Sequence, residues 1–129
     1  MSYSLFFDGA SRGNPGQSCA GFVIYNNSNI VYEDSIILGH KTNNEAEYLS
    51  LCYGLKKLIE LNLQDDDIQV FGDSMLVINQ VNNLWKIKAE NLKIINSEVK
   101  SLKKKFKNIT FQHVRREKNT YADMLSNRY

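Results

Sequence analysis

The chain has 129 residues, 43% of them hydrophobic and 23% charged, and its formal net charge is +2. These values are close to those of globular proteins and exclude a disordered or fibrous chain, while the charge alone is too small to indicate nucleic-acid binding. The length fits a single domain, residues 1–129, without disulfides, so we expect Cys19 and Cys52 to be reduced core residues. No stretch looks like a signal sequence or a membrane span, and we expect a cytoplasmic protein without membrane contact.

The amino-terminal part of the chain predicts three β-strands. Tyr3 to Phe7 is aromatic and β-prone, and glycines soon follow it, so we place Asp8 at the carboxyl end of this strand. Cys19 to Tyr25 and Ile30 to Leu38 predict two more strands, and the polar residues between them suit a hairpin turn. The chain is therefore expected to open with an antiparallel meander.

Helices and strands alternate in the middle of the chain. From Thr42 the apolar residues recur three and four positions apart, which predicts a long helix. Ile68 to Gly72 is a short apolar run followed by Asp73, and it predicts a buried strand. Ser74 to Val81 can form a second helix, because serine is a favoured residue at a helix start.

The carboxyl-terminal part predicts an amphipathic helix over Leu92 to Phe106, a last strand over Ile109 to Val114 and a short helix over Asn119 to Arg128. Lysines crowd the polar face of the amphipathic helix and its end, where we expect a solvated surface, with the Lys100 to Lys107 face as a reserve for phosphate contacts: Lys93, Lys100, Lys103, Lys104, Lys105 and Lys107. Helical crossovers make the strands they join parallel. The sequence thus predicts an α/β fold with a five-stranded mixed sheet, an antiparallel meander plus parallel strands, flanked by helices.

Two aspartates follow strands that we predict to be parallel. Ligands of open α/β sheets gather beyond the carboxyl ends of such strands, which brings Asp8 and Asp73 to one edge. Like charges this close are unfavourable unless a proton or a cation lies between them, and hard divalent cations prefer carboxylate oxygens. The pattern therefore indicates a metal site.

Two glutamates at the start of the long helix differ in role. Thr42 and Glu45 have the spacing of a capping box, in which each side chain satisfies a free amide of the first turn. Glu47 falls on the inward stripe with Leu51 and Leu58, where an unpaired carboxylate is costly. We therefore expect Glu45 to cap the helix and Glu47 to reach the metal site.

Four segments together resemble the signature blocks of type 1 ribonucleases H: Asp8 to Gly16, Thr42 to Glu47, Asp73 with Ser74, and Arg116 to Asp123. They occur in the order and spacing of that family, and the resemblance covers essentially the whole chain. It implies a ribonuclease H-like fold and cleavage of the RNA strand of RNA–DNA hybrids, leaving 5′-phosphate and 3′-hydroxyl ends.

The same resemblance implies the cofactor and the catalytic residues. Asp8, Glu47, Asp73 and Asp123 would bind two Mg²⁺ ions, with Asp8 bridging them and Mn²⁺ as a possible substitute. Two ions suit phosphodiester hydrolysis because one activates water and the other stabilises the leaving oxygen.

Seven residues are candidates for binding the hybrid: Asn14, Thr42, Asn43, Asn44, Trp85, Lys86 and Lys88. By the resemblance, the asparagines touch the minor groove, where an amide can read the 2′-hydroxyl that distinguishes RNA from DNA, and the threonine lies in a DNA-phosphate pocket. The tryptophan and its lysines suit sugar stacking and phosphate contact. Each also has a structural alternative, as a turn residue, a helix cap or a core anchor.

Two departures from the family pattern affect these expectations. Asn82 to Asn91 leaves no room for the long basic handle that some members carry, so we expect weaker hybrid binding. The loop before Asp123 lacks the histidine of many members, and neither His40 nor His113 replaces it, so turnover is expected to be slower or metal preference different.

Two other functions compete with this interpretation. A binding module of the same fold would hold hybrids or RNA without cutting, but it is expected to lack a site acid, and all four acids are present. The chain could also be a piece of a larger polymerase or integrase-type polyprotein. It begins with Met1 and has no linker at either end, which favours a free-standing protein. We also expect a monomer, and the resemblance implies an RNA–DNA hybrid as its partner.

Overall fold

Five strands form one mixed sheet in a computed structural model that describes residues 1–129. The elements in chain order are β1 (Ser2–Arg12), β2 (Gly16–Asn26), β3 (Asn29–Lys41), α1 (Asn43–Glu60), β4 (Asp67–Gly72), α2 (Met75–Val81), α3 (Glu90–Lys103), β5 (Asn108–His113) and α4 (Thr120–Ser126). The strand order is β3-β2-β1-β4-β5. β1, β4 and β5 are parallel, and β2 and β3 extend the sheet antiparallel, which confirms the predicted architecture.

Strand β1 is longer than predicted, and the placement of Asp8 at its end is wrong. The parallel pairing with β4 stops at Phe7 opposite Gly72, whereas the antiparallel pairing with β2 continues to Arg12 opposite Gln17. β2 therefore supplies hydrogen-bond partners that keep the strand extended. Asp8 is the first residue beyond the parallel pairing, and this places it near the end of β4.

The core lies between one face of the sheet and the helices α1, α2 and α3. Leu5 and Phe7 of β1 are fully buried against Leu51 and Leu55 of α1. Each such side chain contributes about 1.5–3 kcal/mol when it leaves water. Both cysteines are buried and free, as predicted. None of the helices combines the length and the apolar character that crossing a bilayer requires.

A buried polar network joins three helices to the connection between α2 and α3. The Tyr48 hydroxyl donates to Gln80 Oε1 (2.6 Å) and accepts from Asn96 Nδ2 (3.1 Å). Gln80 Nε2 in turn donates to the Lys86 carbonyl oxygen (3.3 Å). Burial raises the pKa of Tyr48 to about 12, so the hydroxyl keeps its proton and donates. The network fixes the position of the connection relative to α1.

Candidate active site

Three carboxylates converge at the edge of the sheet. Asp8 from β1, Glu47 from α1 and Asp73 just after β4 have oxygen atoms that all lie within 4.8 Å of one another. Asp8 is 5% exposed and Glu47 is 7% exposed, while Asp73 is half-buried. Asp123 of α4 lies outside this tight group but lines the same cavity of about 200 Å³. We call the three converging carboxylates the acidic cluster.

The start of α1 separates its two glutamates as the sequence predicts. Glu45 N donates to Thr42 Oγ1 (3.1 Å), and Thr42 N donates to Glu45 Oε1 (2.9 Å), which completes the capping box. This bond from the Thr42 amide lowers the pKa of Glu45. Glu47 points inward, and its Oε2 atom is buried with no hydrogen-bond partner. An unpartnered buried carboxylate oxygen is costly, so Glu47 is the group most in need of a cation.

A glycine allows β1 and α1 to approach closely enough to form the cluster. A Cβ atom on Gly9 would lie 2.2 Å from the Ala46 carbonyl carbon and 2.4 Å from the Glu47 amide nitrogen. These are backbone atoms and cannot rotate away. The close contact therefore sets the separation of Asp8 and Glu47.

Substituting Gly9→Ala is expected to force β1 and α1 apart. We expect the free energy of unfolding to fall by about 2 kcal/mol, as for other overpacked sites, and the hybrid cleavage that the family resemblance implies to be lost. Urea unfolding and a hybrid-cleavage assay measure the two effects. Gly39→Ala is the control: that glycine has a positive φ of 82° but nothing within 4 Å of the added Cβ, so it should lose some stability and keep activity.

The acidic cluster holds protons in the absence of cations. Burial, the nearby Asp73 carboxylate and the interaction with Asp123 together raise the pKa of Asp8 from 3.8 to about 7. Burial also raises the pKa of Glu47 well above its usual value, and the charges of Asp8 and Asp73 add to this effect. Hard oxygen ligands, burial and mutual repulsion together are the properties of a divalent cation site.

Comparison with known proteins adds independent information. The family described as reverse transcriptase-like matches residues 6–129 of the chain. A ribonuclease HI of Halobacterium salinarum is 37% identical over 123 residues, which are 95% of this chain and 61% of that protein. A bifunctional protein of Mycobacterium tuberculosis is 37% identical over 129 residues, which are 98% of this chain and 35% of that protein. The chain therefore spans about a third of the mycobacterial relative.

Solved structures agree over nearly the whole length. The crystal structure of RNase H1 from Halobacterium salinarum has a TM-score of 0.93 and 35% identity, with 98% of this chain and 96% of that chain covered. LC11-RNase H1, solved in complex with an RNA/DNA hybrid, also has a TM-score of 0.93 and 35% identity, with 98% and 94% covered. This chain belongs to the type 1 ribonuclease H family. Its mixed sheet is the ribonuclease H fold, as the four motifs imply.

The candidate substrate-binding residues of this chain fall into two groups. Asn14 Oδ1 accepts from the Asn43 amide (2.8 Å), which joins the β1–β2 turn to the start of α1. Asn43 also lines the cavity of the acidic cluster, and Asn44 beside it is exposed. Thr42 is half-buried in its capping role. These four residues form one rim of the site.

The second group lies on the connection between α2 and α3, apart from the cluster. Trp85 is 46% exposed, so it is not a core anchor, and Lys86 and Lys88 are exposed beside it. None of these three side chains lines the cavity that holds the acids. The connection is as short as predicted and contains no handle.

Asn119 supports the cluster in a way that sequence reasoning missed. Asparagine just before a helix usually caps it, but Asn119 makes no capping bond to α4. It is 2% exposed, and its Nδ2 donates to the Phe7 carbonyl oxygen (2.9 Å) and to Asp73 Oδ2 (3.2 Å). Asn119 thus joins β1 to Asp73. The one sequence signal for this supporting role was that Asn119 belongs to the fourth family-like segment, Arg116 to Asp123.

Two further polar residues near the cluster escaped sequence reasoning. Asn127 Nδ2 donates to Asp123 Oδ1 (3.2 Å) and orients that carboxylate. Arg116, from the 3-10 turn before α4, lines the cavity of the acids and forms none of the ion pairs of the structure. Its guanidinium is the one cationic group of this cavity, in the loop that lacks a histidine.

Substituting Asn119→Ser is expected to loosen Asp73. We expect about 2 kcal/mol less unfolding free energy and about tenfold weaker Mg²⁺ binding, because a shortened side chain reaches neither acceptor. Urea unfolding and Mg²⁺ titration by calorimetry measure the two effects. The matched control is Asn96→Ser, a buried asparagine of the Tyr48 network, which should lose stability and keep its Mg²⁺ affinity. Equal loss of Mg²⁺ affinity in both variants would show that Asn119 acts through general stability.

Proposed function

We propose that this chain is an endonuclease that hydrolyses the RNA strand of RNA–DNA hybrids and leaves 5′-phosphate and 3′-hydroxyl ends. One observation carries the proposal: carboxylate oxygens of Asp8, Glu47 and Asp73 lie within 4.8 Å of one another, and two of these residues are buried, in a chain of the ribonuclease H family. A binding module would gain nothing from such a costly group of acids. The RNA/DNA hybrid bound to LC11-RNase H1 supports the choice of substrate.

The residues present fit divalent cations. All ligands are carboxylate oxygens, which Mg²⁺ prefers, and the unpartnered Glu47 Oε2 is an available ligand atom. Asp8, Glu47, Asp73 and Asp123 would hold two Mg²⁺ ions, and Mn²⁺ would substitute for them. Bound there, the ions would lower the pKa of the attacking water and stabilise charge on the leaving 3′-oxygen.

The protein's own groups bind and orient the substrate around this centre. Asn119 holds Asp73, and the Thr42–Glu45 box directs Glu47 inward. The rim asparagines can donate to and accept from 2′-hydroxyls of the RNA strand, which DNA lacks. Trp85, Lys86 and Lys88 would contact the DNA backbone and set the register of the hybrid.

The decisive experiment compares three labelled duplexes of one sequence: RNA–DNA hybrid, double-stranded DNA and double-stranded RNA. We expect cleavage of the hybrid RNA strand with Mg²⁺ or Mn²⁺, little action on DNA, and no cleavage in excess chelator. End analysis should find 5′-phosphates. Cleavage that continues unchanged in chelator, or hybrid binding without cleavage at any metal concentration, would reject the proposal. A single domain that acts as a monomer in the cytoplasm stays a prediction, which sedimentation of the purified chain tests in part.

Salt dependence measures the phosphate contacts of the connection between α2 and α3. Each phosphate that a lysine neutralises contributes close to 0.9 to the magnitude of the slope of log affinity against log salt. A compact surface with about three to five contacts should therefore give a slope of about three to five in magnitude. The double substitution of Lys86→Ala and Lys88→Ala should lower the magnitude of this slope by about two. The strand that is cut should not change, because phosphate contacts carry no information about the sugar. An unchanged slope would place the DNA strand elsewhere.

A further inference from the structure

Two adjoining grooves run along α3 on the side that carries the lysines. The first, about 560 Å³ in volume, lies between α3 and the α2–α3 connection and contains Lys86, Lys93 and Lys100. The second, about 370 Å³, contains Lys100 again, with Lys103, Lys104 and Lys107 at its far end. Asn83 and Lys100 line both grooves, and the Lys100 ammonium donates to Asn83 Oδ1. We call this continuous surface the basic track.

The basic track is almost free of compensating negative charge. No aspartate or glutamate lines either groove. Among its six lysines, only Lys93 forms an ion pair, with the exposed Glu90 (3.1 Å). The other acid of α3, Glu98, pairs with Lys56 of α1 (2.7 Å) and lines neither groove. Lysines that repel one another without partners are unfavourable for stability alone, which indicates an anionic partner.

The track leads away from the active site. Asn91 near the start of α3 interacts with Glu45, beside the acidic cluster. At the other end, the Lys107 amide donates to the Gln64 carbonyl oxygen (3.0 Å), next to the amino ends of β4 and β5. The 14 residues of α3 give a length of about 21 Å at 1.5 Å per residue. That length equals the rise of about six base pairs at 3.4 Å each.

We propose that the basic track binds the phosphate backbone of the same RNA–DNA hybrid outside the cleaved region, so that long hybrids bind more tightly than short ones. The partner is a polyanion because six lysines and no acidic residue line the two grooves. It is the hybrid because the track begins at Lys86, within the surface that the proposed function assigns to that substrate. The inference rests on the proposed function for its substrate and extends it to a second contact.

Hybrid length separates the track from the active site in an experiment. A hybrid of about 8 base pairs covers the acidic cluster without reaching Lys104 and Lys107, whereas one of about 20 base pairs reaches them at 3.4 Å per pair. We would measure KM and kcat for both lengths between low and moderate salt. For the intact protein, the salt slope of 1/KM should be steeper by about two on the long hybrid.

Single substitutions supply the matched comparison. Lys104→Ala and Lys107→Ala should each lower the slope on the long hybrid by about 0.9, and the double variant should raise its KM about tenfold or more at low salt, with kcat unchanged. On the short hybrid both variants should behave as the unmodified protein. Lys105→Ala removes the same charge from an exposed residue that lines neither groove, so its slope should not change.

Three results would overturn the inference: equal slopes for both lengths in the unmodified protein, equal effects of Lys104→Ala on both lengths, or an effect of Lys105→Ala as large as that of Lys104→Ala. The last result would mean that net charge acts, not the grooves. If neither hybrid is cut, the proposed function fails separately. In that case, fluorescence anisotropy with Mg²⁺ measures the affinity of the protein for the uncut hybrids. The same comparison of hybrid lengths and lysine variants then tests whether the basic track binds them.

Discussion

Replacing Glu47 by glutamine is expected to lower hybrid cleavage about a thousandfold, because losing one ligand of the proposed metal centre would forfeit about 4 kcal/mol of transition-state stabilisation. The fold should remain intact and become slightly more stable without metal. The neutral amide replaces a buried carboxyl group whose ionisation is unfavourable beside Asp8 and Asp73. Single-turnover cleavage with saturating Mg²⁺ measures the loss, and urea unfolding in chelator measures the gain.

The matched control for this substitution is Glu45→Gln, two residues away on the same helix. Glutamine can still accept the Thr42 amide bond of the capping box, so this variant should keep most of its activity and lose only a few tenths of a kcal/mol of stability. Similar losses of activity in both variants would show that helix face does not separate the two glutamates. Full activity of the Glu47 variant would show that Glu47 is not a required ligand of the proposed metal centre.

In the absence of divalent cations, the protein is expected to lose about 3 kcal/mol of folding free energy between pH 5 and pH 8 through Asp8 alone. Burial, together with the neighbouring Asp73 and Asp123 carboxyl groups, raises the pKa of Asp8 from 3.8 to about 7 in the folded protein. The folded state therefore keeps a proton that the unfolded chain releases, and stability that is complete below about pH 4 is lost as the pH rises through about 7. Glu47 acts in the same direction.

Mg²⁺ should reverse this loss because binding replaces the protons of the cluster. The increase in unfolding free energy on adding saturating Mg²⁺ is therefore expected to be larger at pH 8 than at pH 5. Urea unfolding at both pH values, with Mg²⁺ and with chelator, measures it. In Asp8→Asn the decline with pH should be weaker and the Mg²⁺ effect small. A chelated protein whose stability rises from pH 5 to pH 8 would contradict the raised pKa of Asp8.

Local sequence patterns were sufficient to predict those features of the structure whose physical cause involves residues close together in the chain. The Thr42–Glu45 capping box involves residues three apart, so the sequence alone predicts where α1 begins and hence that Glu47 faces inward. The alternation of strand and helix predicts the parallel pairing of β1, β4 and β5 for a similar reason, since right-handed crossovers leave few other arrangements. Asp73 follows the end of β4 as expected.

Tertiary structure decided those features that depend on partners distant in the sequence. β1 continues to Arg12 because β2 pairs with it, and no property of residues 8–12 shows that they have a partner. Asn119 leaves its capping role because Phe7 and Asp73, remote in sequence, present acceptors to it inside the fold. The lysines of α3 form a continuous track with Lys86 because the Gln80 bond holds the connection beside that helix. The sequence by itself determined the fold and brought the acids to one edge; packing decided their burial, their supporting bonds and the shape of the basic surface.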